Sequence, residues 1–253
     1  MKGIVCAGGT GSRMGLLTKV TNKHLLPVYD KPMICYAIQT LKDAGIKDIM
    51  IIAGKGHAGA FLELLGGEYT YRVQEKPDGI AGALKCAKDW IDEPVAVILG
   101  DNIFFRSFRK EVKEFKHGCM VFVKEVDHPE RFGVYTPSID RFVEKPSNPE
   151  TNMALTGFYL FDKTLFGRLD NLQKSSRGEY EITDLINSYM CNEKDLKIGY
   201  VAEDWIDAGT PESLYKATRM VLSRMTDLIY CDPVKVEGIV DSAMKLSRDL
   251  LEE

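Results

Sequence analysis

The stretch Lys2-Gly-Ile-Val-Cys-Ala-Gly-Gly-Thr-Gly-Ser-Arg-Met-Gly15 decides how this chain is read. Ile4 to Ala7 is an apolar run that predicts a buried strand. It breaks into Gly8, Gly9, Thr10, Gly11, Ser12 and Arg13. Three glycines in four residues let the backbone take positive φ and come close to a ligand. Successive N–H groups in such a turn form an anion-binding concavity at a sheet edge. Arg13 adds a planar, permanently charged fork suited to phosphate oxygens. The turn therefore predicts a site for the phosphates of a nucleotide; a strand-exit turn with no ligand is the plain alternative. No Gly-Lys-Ser/Thr closes the loop, so it is not the Walker pattern. Gly15 falls one residue too late for the dinucleotide fingerprint, which disfavours a Rossmann oxidoreductase.

Outward from the turn, helical and strand patterns alternate. An amphipathic helix after Pro32 stops at Gly45, and strands are expected at 48–53, 69–74 and 94–100. Helices are expected at 58–65 and 80–91. Continuous apolar strands between helices indicate a parallel sheet covered on both faces. The first part, about 1–117, is thus doubly wound, Rossmann-like α/β, and is taken as the nucleotide-binding part. After residue 117 the strands become short (119–126, 132–136, 141–144, 154–161), with Gly, Pro and Asn between them. They predict an antiparallel insertion in, or addition to, the sheet. A helix at 182–191 follows, with Glu179 and Glu181 near its start, then a strand at 197–201 and a helix from Pro211 to about residue 228. One domain is placed at 1–230, with 118–230 as its second part and 231–253 as a helical tail carrying Ile239, Ala243, Leu246 and Leu250 at helical spacing.

The 253 residues are 45% hydrophobic and 28% charged, with a formal charge of −4, an ordinary globular composition with no basic stripe for nucleic acid. The six cysteines are scattered without a C-x-x-C pair, which fits a reducing cytoplasm and neither zinc nor a disulfide framework. The chain enters a strand at once, so no signal peptide is expected. No apolar run approaches the roughly 20 residues needed to span a bilayer.

Several turns carry candidate chemistry. In Asn22-Lys23-His24-Leu25-Leu26-Pro27, Lys23 can place a point charge on the same anion as Arg13, or be a surface lysine. His24 reads as a structural histidine. Asp101, in Gly100-Asp101-Asn102, follows the most apolar strand, and ligands of open α/β sheets bind beyond such strand ends. A hard oxygen ligand beside phosphates suggests Mg²⁺, held by one or two carboxylates. A helix cap or Asx turn explains the same aspartate. Asp207, in Trp205-Ile-Asp-Ala-Gly209, is the second candidate ligand. Gln74 and Gly79, around Pro77-Asp78-Gly79, can read a base edge or form an ordinary turn. Glu144-Lys145 can accept sugar hydroxyls and hold a phosphate, or be an exposed ion pair of little consequence.

Taken together and in this order, six segments carry a resemblance. They are Ala7-Gly-Gly-x-Gly-x-Arg13, Lys23-x-Leu-Leu-Pro27, Leu99-Gly-Asp-Asn102, Glu144-Lys-Pro146, Arg177-Gly-Glu-x-Glu-Ile-Thr-Asp184 and Trp205-x-Asp-x-Gly-Thr210. From Lys2 to about Arg224 the chain resembles the sugar-1-phosphate nucleotidylyltransferases, most of all those that join thymidylate to glucose 1-phosphate. The resemblance implies the nucleotide-diphospho-sugar transferase fold, with 1–230 as the nucleotidyltransferase domain, about 1–117 its nucleotide-binding part and about 118–230 its sugar-binding part. It implies that Gly8, Gly9, Gly11 and Arg13 cradle the nucleoside triphosphate and that Gln74 and Gly79 bond thymine. Lys23 would balance charge on the phosphates, and Asp101 and Asp207 would hold Mg²⁺. Gly133, Glu144 and Thr156 would bind glucose, Lys145 its phosphate, with Arg177 near the phosphates. Arg13, Lys23 and Asp101 are the expected catalytic residues.

The expected reaction joins dTTP and α-D-glucose 1-phosphate into dTDP-glucose and pyrophosphate. A UTP-using enzyme, another sugar phosphate, or a regulatory subunit that binds nucleotide sugar without catalysis are the alternatives. A cytoplasmic homo-oligomer, dimer or tetramer, is expected. Two departures stand out. The family's Ala-Gln-Ala after the base-binding glycine is Ala81-Gly82-Ala83 here, weakening one nucleotide contact. The helical extension of longer members is lacking, so feedback control at the regulatory site it helps form is not expected.

Overall fold

The computed structural model describes residues 1–190, 195–202 and 205–231, with side chains described as far as 225. The first half runs β1 (Lys2–Ala7), β2 (Pro27–Val28), β3 (Lys31–Pro32), α1 (Met33–Asp43), β4 (Ile49–Gly54), α2 (Ala58–Leu65), β5 (Thr70–Gln74), α3 (Ile80–Lys85) and β6 (Val95–Leu99). The second half runs β7 (Asn102–Phe104), α4 (Arg109–Glu114), β8 (Cys119–Glu125), β9 (Gly133–Thr136), β10 (Arg141–Glu144), β11 (Met153–Phe161), α5 (Leu165–Asp170), α6 (Ile182–Asn187), β12 (Leu196–Tyr200), β13 (Trp205–Asp207) and α7 (Pro211–Cys231).

One sheet has the order β10-β9-β11-β6-β1-β4-β5, with β8 and β12 joined to it through β11. β6, β1, β4 and β5 are parallel, and β11 adds antiparallel to β6. The antiparallel strands expected after residue 117 therefore extend the parallel sheet.

Alternate residues of the central strands face opposite layers, as strand geometry requires. Ile4, Met50, Ile52, Val95 and Val97 pack against Ala81 and Leu84 of α3, Leu165 of α5 and Leu185 of α6. Val5, Ile51, Ala96 and Ile98 pack against Ile34, Ile38 and Leu41 of α1 and Phe61 of α2. Phe108 stacks on Phe158 with ring centroids 4.1 Å apart and takes the edge of Phe104 at 5.1 Å. Each such pair contributes about 0.5–1.5 kcal/mol beyond its buried area, and the Phe104–Phe108 pair anchors the end of β7.

The winding positions the site. From β1 the chain passes to β4 and then β5, moving away on one side of β1. It then returns across the sheet through α3 to β6, on the other side of β1. The reversal opens a crevice at the carboxyl ends of β1 and β6, where ligands of such sheets bind.

Two helices are shorter than their sequence patterns predict. The segment expected at 80–91 is helical only to Lys85 and continues as turns, with Trp90 and Ile91 donating to the Ala87 carbonyl. The segment expected at 182–191 stops at Asn187, and Cys191 lies outside the described residues. Apolar residues at helical spacing report a buried face, which turns can present equally well. α4 and α5, six residues each, have no counterpart in the sequence reading. The helical tail expected from 231 falls, beyond Cys231, outside the described residues. Cys6, Cys35, Cys86 and Cys119 are free thiols. Among the described residues no helix is long and apolar enough to cross a membrane.

Candidate active site

Past β1, Gly11 adopts φ 69°, a left-handed conformation natural to glycine, and Met14 N–H closes back on its carbonyl at 2.8 Å. The turn forms one wall of a cavity of about 480 Å³, with Gly8, Gly9, Gly11 and Arg13 facing it. Lys23, Gln74, Gly79, Asp101, Glu144, Lys145 and Arg177 line the same cavity. A second cavity of about 120 Å³ is lined by Gly133, Thr156 and Asp207 and shares Arg13, Asp101, Glu144 and Lys145 with the first. All the candidate residues thus surround two adjoining spaces at the carboxyl rim of the sheet.

Lys23 belongs to a 3-10 turn that Asn22 caps by accepting the His24 N–H at 2.9 Å. This turn aims the Lys23 ammonium at Asp101 Oδ2, to which it donates a hydrogen bond. Asp101 is 5% exposed. Burial alone pushes its carboxyl up, but the Lys23 charge and hydrogen bonds from Lys23 and Asn102 outweigh burial and hold it below the usual carboxylate range.

Asn102 fixes the other oxygen. Its Oδ1 accepts from Trp205 Nε1 at 2.6 Å and from Gly157 N–H at 3.0 Å. The amide is therefore oriented, and its Nδ2 donates to Asp101 Oδ1 at 2.9 Å. The antiparallel pairing of β13 with β7 sets Asp207 opposite Asn102. Asp207 ends the short strand β13, just before Pro211 opens α7. Burial, then the charge of Asp101, raise the Asp207 carboxyl, while Lys23 and Arg13 pull the other way.

Asp207 Oδ1, Asp101 Oδ2 and Arg13 Nη2 lie 2.8, 3.2 and 3.3 Å from the point where a Cβ on Gly209 would stand. Glycine keeps that space open. The buried Asp101 and the half-buried Asp207 offer two carboxylates, a hard-oxygen donor set suited to a divalent cation beside phosphate oxygens. His24 contributes no charge. Burial, then the neighbouring Lys23, lower its pKa to about 3, and its Nδ1 bonds Asn22 Oδ1 at 2.7 Å.

In the second cavity, Gly133 and Glu144 are register partners in β9 and β10. Burial raises the Glu144 carboxyl and the charge of Glu181 adds to this, against Lys145 and Arg177. Lys145 takes φ 44°, a left-handed conformation rare for a lysine, held by its N–H on the Phe132 carbonyl at 2.9 Å. Thr156 faces the cavity, but its hydroxyl donates to the Phe122 carbonyl at 2.9 Å, which leaves only its lone pairs for a ligand.

Arg177 lines the cavity and is paired with Glu144, Glu179 and Glu181 at 3.6, 3.2 and 3.4 Å. Glu181 caps α6 by position and also accepts Ser175 Oγ at 2.6 Å. Glu179 and Glu181, read from sequence as complements to a helix end, help neutralise an arginine. Asn102 and Gly209 stand inside quoted motifs without a role in the sequence reading, and their neighbouring carboxylates are the signal that points to them.

A family profile described as nucleotidyl transferase matches residues 2–224. A glucose-1-phosphate thymidylyltransferase of Neisseria meningitidis (serogroup A, serotype 4A) is 39% identical over 241 residues, covering 87% of this chain and 82% of that protein. A Bacillus anthracis crystal structure with sucrose, described as a glucose-1-phosphate thymidylyltransferase, superposes with TM-score 0.81 at 46% identity, over 87% of this chain and 94% of that one. A UDP-glucose pyrophosphorylase solved with UDP-glucose shares the fold, with TM-score 0.74 at 22% identity over 88% of this chain and 98% of that one. With its glycine turn, carboxylate pair and lysine in one crevice, and with these relatives along most of its length, the chain belongs to the nucleotidyltransferase family, as a sugar-1-phosphate nucleotidylyltransferase.

Proposed function

We propose that this protein transfers the thymidylyl group of dTTP to α-D-glucose 1-phosphate and releases pyrophosphate. The observation that carries the reading is the convergence of Arg13, Lys23, Lys145, Asp101 and Asp207 on two adjoining cavities, one walled by the glycine turn and one by Gly133 and Glu144. Two phosphorylated anions need such an arrangement, because their repulsion opposes the approach. The triphosphate lies along Gly8, Gly9 and Gly11, its base at Gln74 and Gly79. The sugar lies against Gly133, Glu144 and Thr156.

The nucleophile is an oxygen of the sugar phosphate, already ionised. It forms a bond to the α-phosphorus in line with the bridging oxygen to the β-phosphate. That second bond breaks, and pyrophosphate leaves with its electron pair. No general base is needed, and positioning with charge stabilisation carries the rate. Arg13 and Lys23 stabilise charge on the triphosphate. Lys145 holds the sugar phosphate. Arg177 serves that phosphate only as far as it is released from its three carboxylates. Mg²⁺ held by Asp101 and Asp207 would supply a divalent charge beside the phosphates.

The test is pyrophosphate release with dTTP, UTP, ATP and CTP, each against glucose, galactose and mannose 1-phosphates, with and without a chelator. The fastest release is expected for dTTP with glucose 1-phosphate. It should stop on chelation and return with excess Mg²⁺. Release from no pair would overturn the reading and favour a regulatory binding subunit.

A further inference from the structure

Gln74 ends β5 with its amide between the cavity and the turn at Pro77, Asp78 and Gly79. Its Nε2 donates to Asp78 Oδ1 at 3.0 Å and to the Gly79 carbonyl at 3.1 Å. A carboxylate and a carbonyl only accept, so the NH₂ end must face them and the oxygen must face away. Oε1 takes no hydrogen bond among the described residues and looks past Gly8 into the cavity, where a side chain on Gly8 would collide with it. Asp78 is steadied from the other side by Lys174, 3.6 Å from its Oδ2.

Asp78 reaches Gln74 only because residue 82 is glycine. A Cβ on Gly82 would overlap Asp78 Oδ1 and stand 2.9 Å from Asp78 Cγ. This is the position where the family pattern carries glutamine.

We propose that Asp78, in the space Gly82 leaves, locks the Gln74 amide with its carbonyl toward the base, so that the site accepts a pyrimidine bearing a ring N–H and rejects cytosine. The inference rests on the reading of Gln74 as the base-contacting residue. Thymine and uracil present an N3–H donor to an acceptor at this place. Cytosine presents a lone pair there. An unconstrained glutamine serves both by turning its amide over. Here the turn would break two hydrogen bonds and set Oε1 against a carboxylate. Asp78 is a positioning residue, acting on the nucleotide through Gln74.

The experiment compares kcat/KM for dUTP and dCTP, which differ only at the base edge, with glucose 1-phosphate as the second substrate. Asp78→Asn supplies an amide that can donate or accept. Gly82→Ala displaces the Asp78 carboxylate without changing any charge. Each variant is expected to lower the dUTP-to-dCTP ratio by about tenfold, the scale set by one unpaired polar contact. A merely structural defect would scale both nucleotides alike and leave the ratio unmoved. An unchanged ratio in both variants, with a ratio that falls in Gln74→Ala, overturns the lock and spares the reading of Gln74. An unchanged ratio in Gln74→Ala overturns that reading itself.

Discussion

Asp207 and Asn102 face each other across the pairing of β13 with β7, and this brings a carboxylate from late in the chain beside Asp101. The two acids are held close by backbone hydrogen bonds and by the buried Trp205 side chain, 5% exposed, that bonds Asn102. Their mutual repulsion is therefore built into the fold.

Asp207→Asn follows from that repulsion. The Asp207 carboxyl lies above its ordinary range because of burial and the charge of Asp101. Its contribution to stability is thus fully present below the unfolded pKa and lost as pH rises through the folded value. At neutral pH the ionised group works against the fold. The amide keeps the shape and can still accept the Gly209 N–H, now bonded to Asp207 Oδ1 at 2.9 Å. The variant should be more stable by about 1 kcal/mol, a rise of roughly 2–4 °C in Tm for a chain of this size, while turnover falls by about 10²-fold or more. Calorimetry beside a pyrophosphate assay checks both halves; a lowered Tm would contradict the account.

Lys23→Ala acts in the opposite sense on stability. It leaves the buried Asp101 carboxylate without its cation, a change that typically costs about 3–5 kcal/mol. Turnover should drop roughly 10²–10³-fold with the loss of a main charge stabiliser. The pH behaviour has a definite sign. Because Asp101 is held below its ordinary range, its stability contribution is present above the unfolded carboxylate pKa and lost as pH falls through the folded value. Removing Lys23 should move the acid-unfolding midpoint to higher pH, measurable by circular dichroism.

Gly209→Ala tests the space between the acids. A methyl group would stand 2.8 Å from Asp207 Oδ1 and 3.2 Å from Asp101 Oδ2, where a cation would need them. The Mg²⁺ concentration for half-maximal pyrophosphate release should rise about tenfold or more, a loss of at least ~1.4 kcal/mol. Far-ultraviolet circular dichroism should be unchanged. An unaltered Mg²⁺ dependence would remove Asp101 and Asp207 as the metal pair.

His24 should stay neutral through the physiological range. Asn22 Oδ1 only accepts, so the ring proton sits on Nδ1. With its folded pKa near 3, lowered by burial, the unfolded chain takes up a proton first as pH falls. Stability should then drop below about pH 6.5 by up to roughly 1.4 kcal/mol per pH unit from this group. Nitrogen-15 spectra of the ring should show the neutral Nδ1–H tautomer at pH 5; a charged ring there would contradict its buried structural role.

The sequence by itself determined the alternation of strands and helices, the glycine turn after β1 and the aspartate after β6. Apolar runs, glycine clusters and strand-end carboxylates are local signals, and the backbone they specify varies little with context. Helix ends at Lys85 and Asn187 escaped it, because periodicity reports burial and turns can bury the same face. Only the tertiary structure decided which charges meet. Lys23 is 78 residues from Asp101, and Trp205 is 103 residues from Asn102. Arg177 spends its charge on three carboxylates, Thr156 donates its hydroxyl proton to a backbone carbonyl, and Gln74 takes its orientation from Asp78. A side chain's partners are set by the strand order that brings distant segments together, and no local pattern records that order.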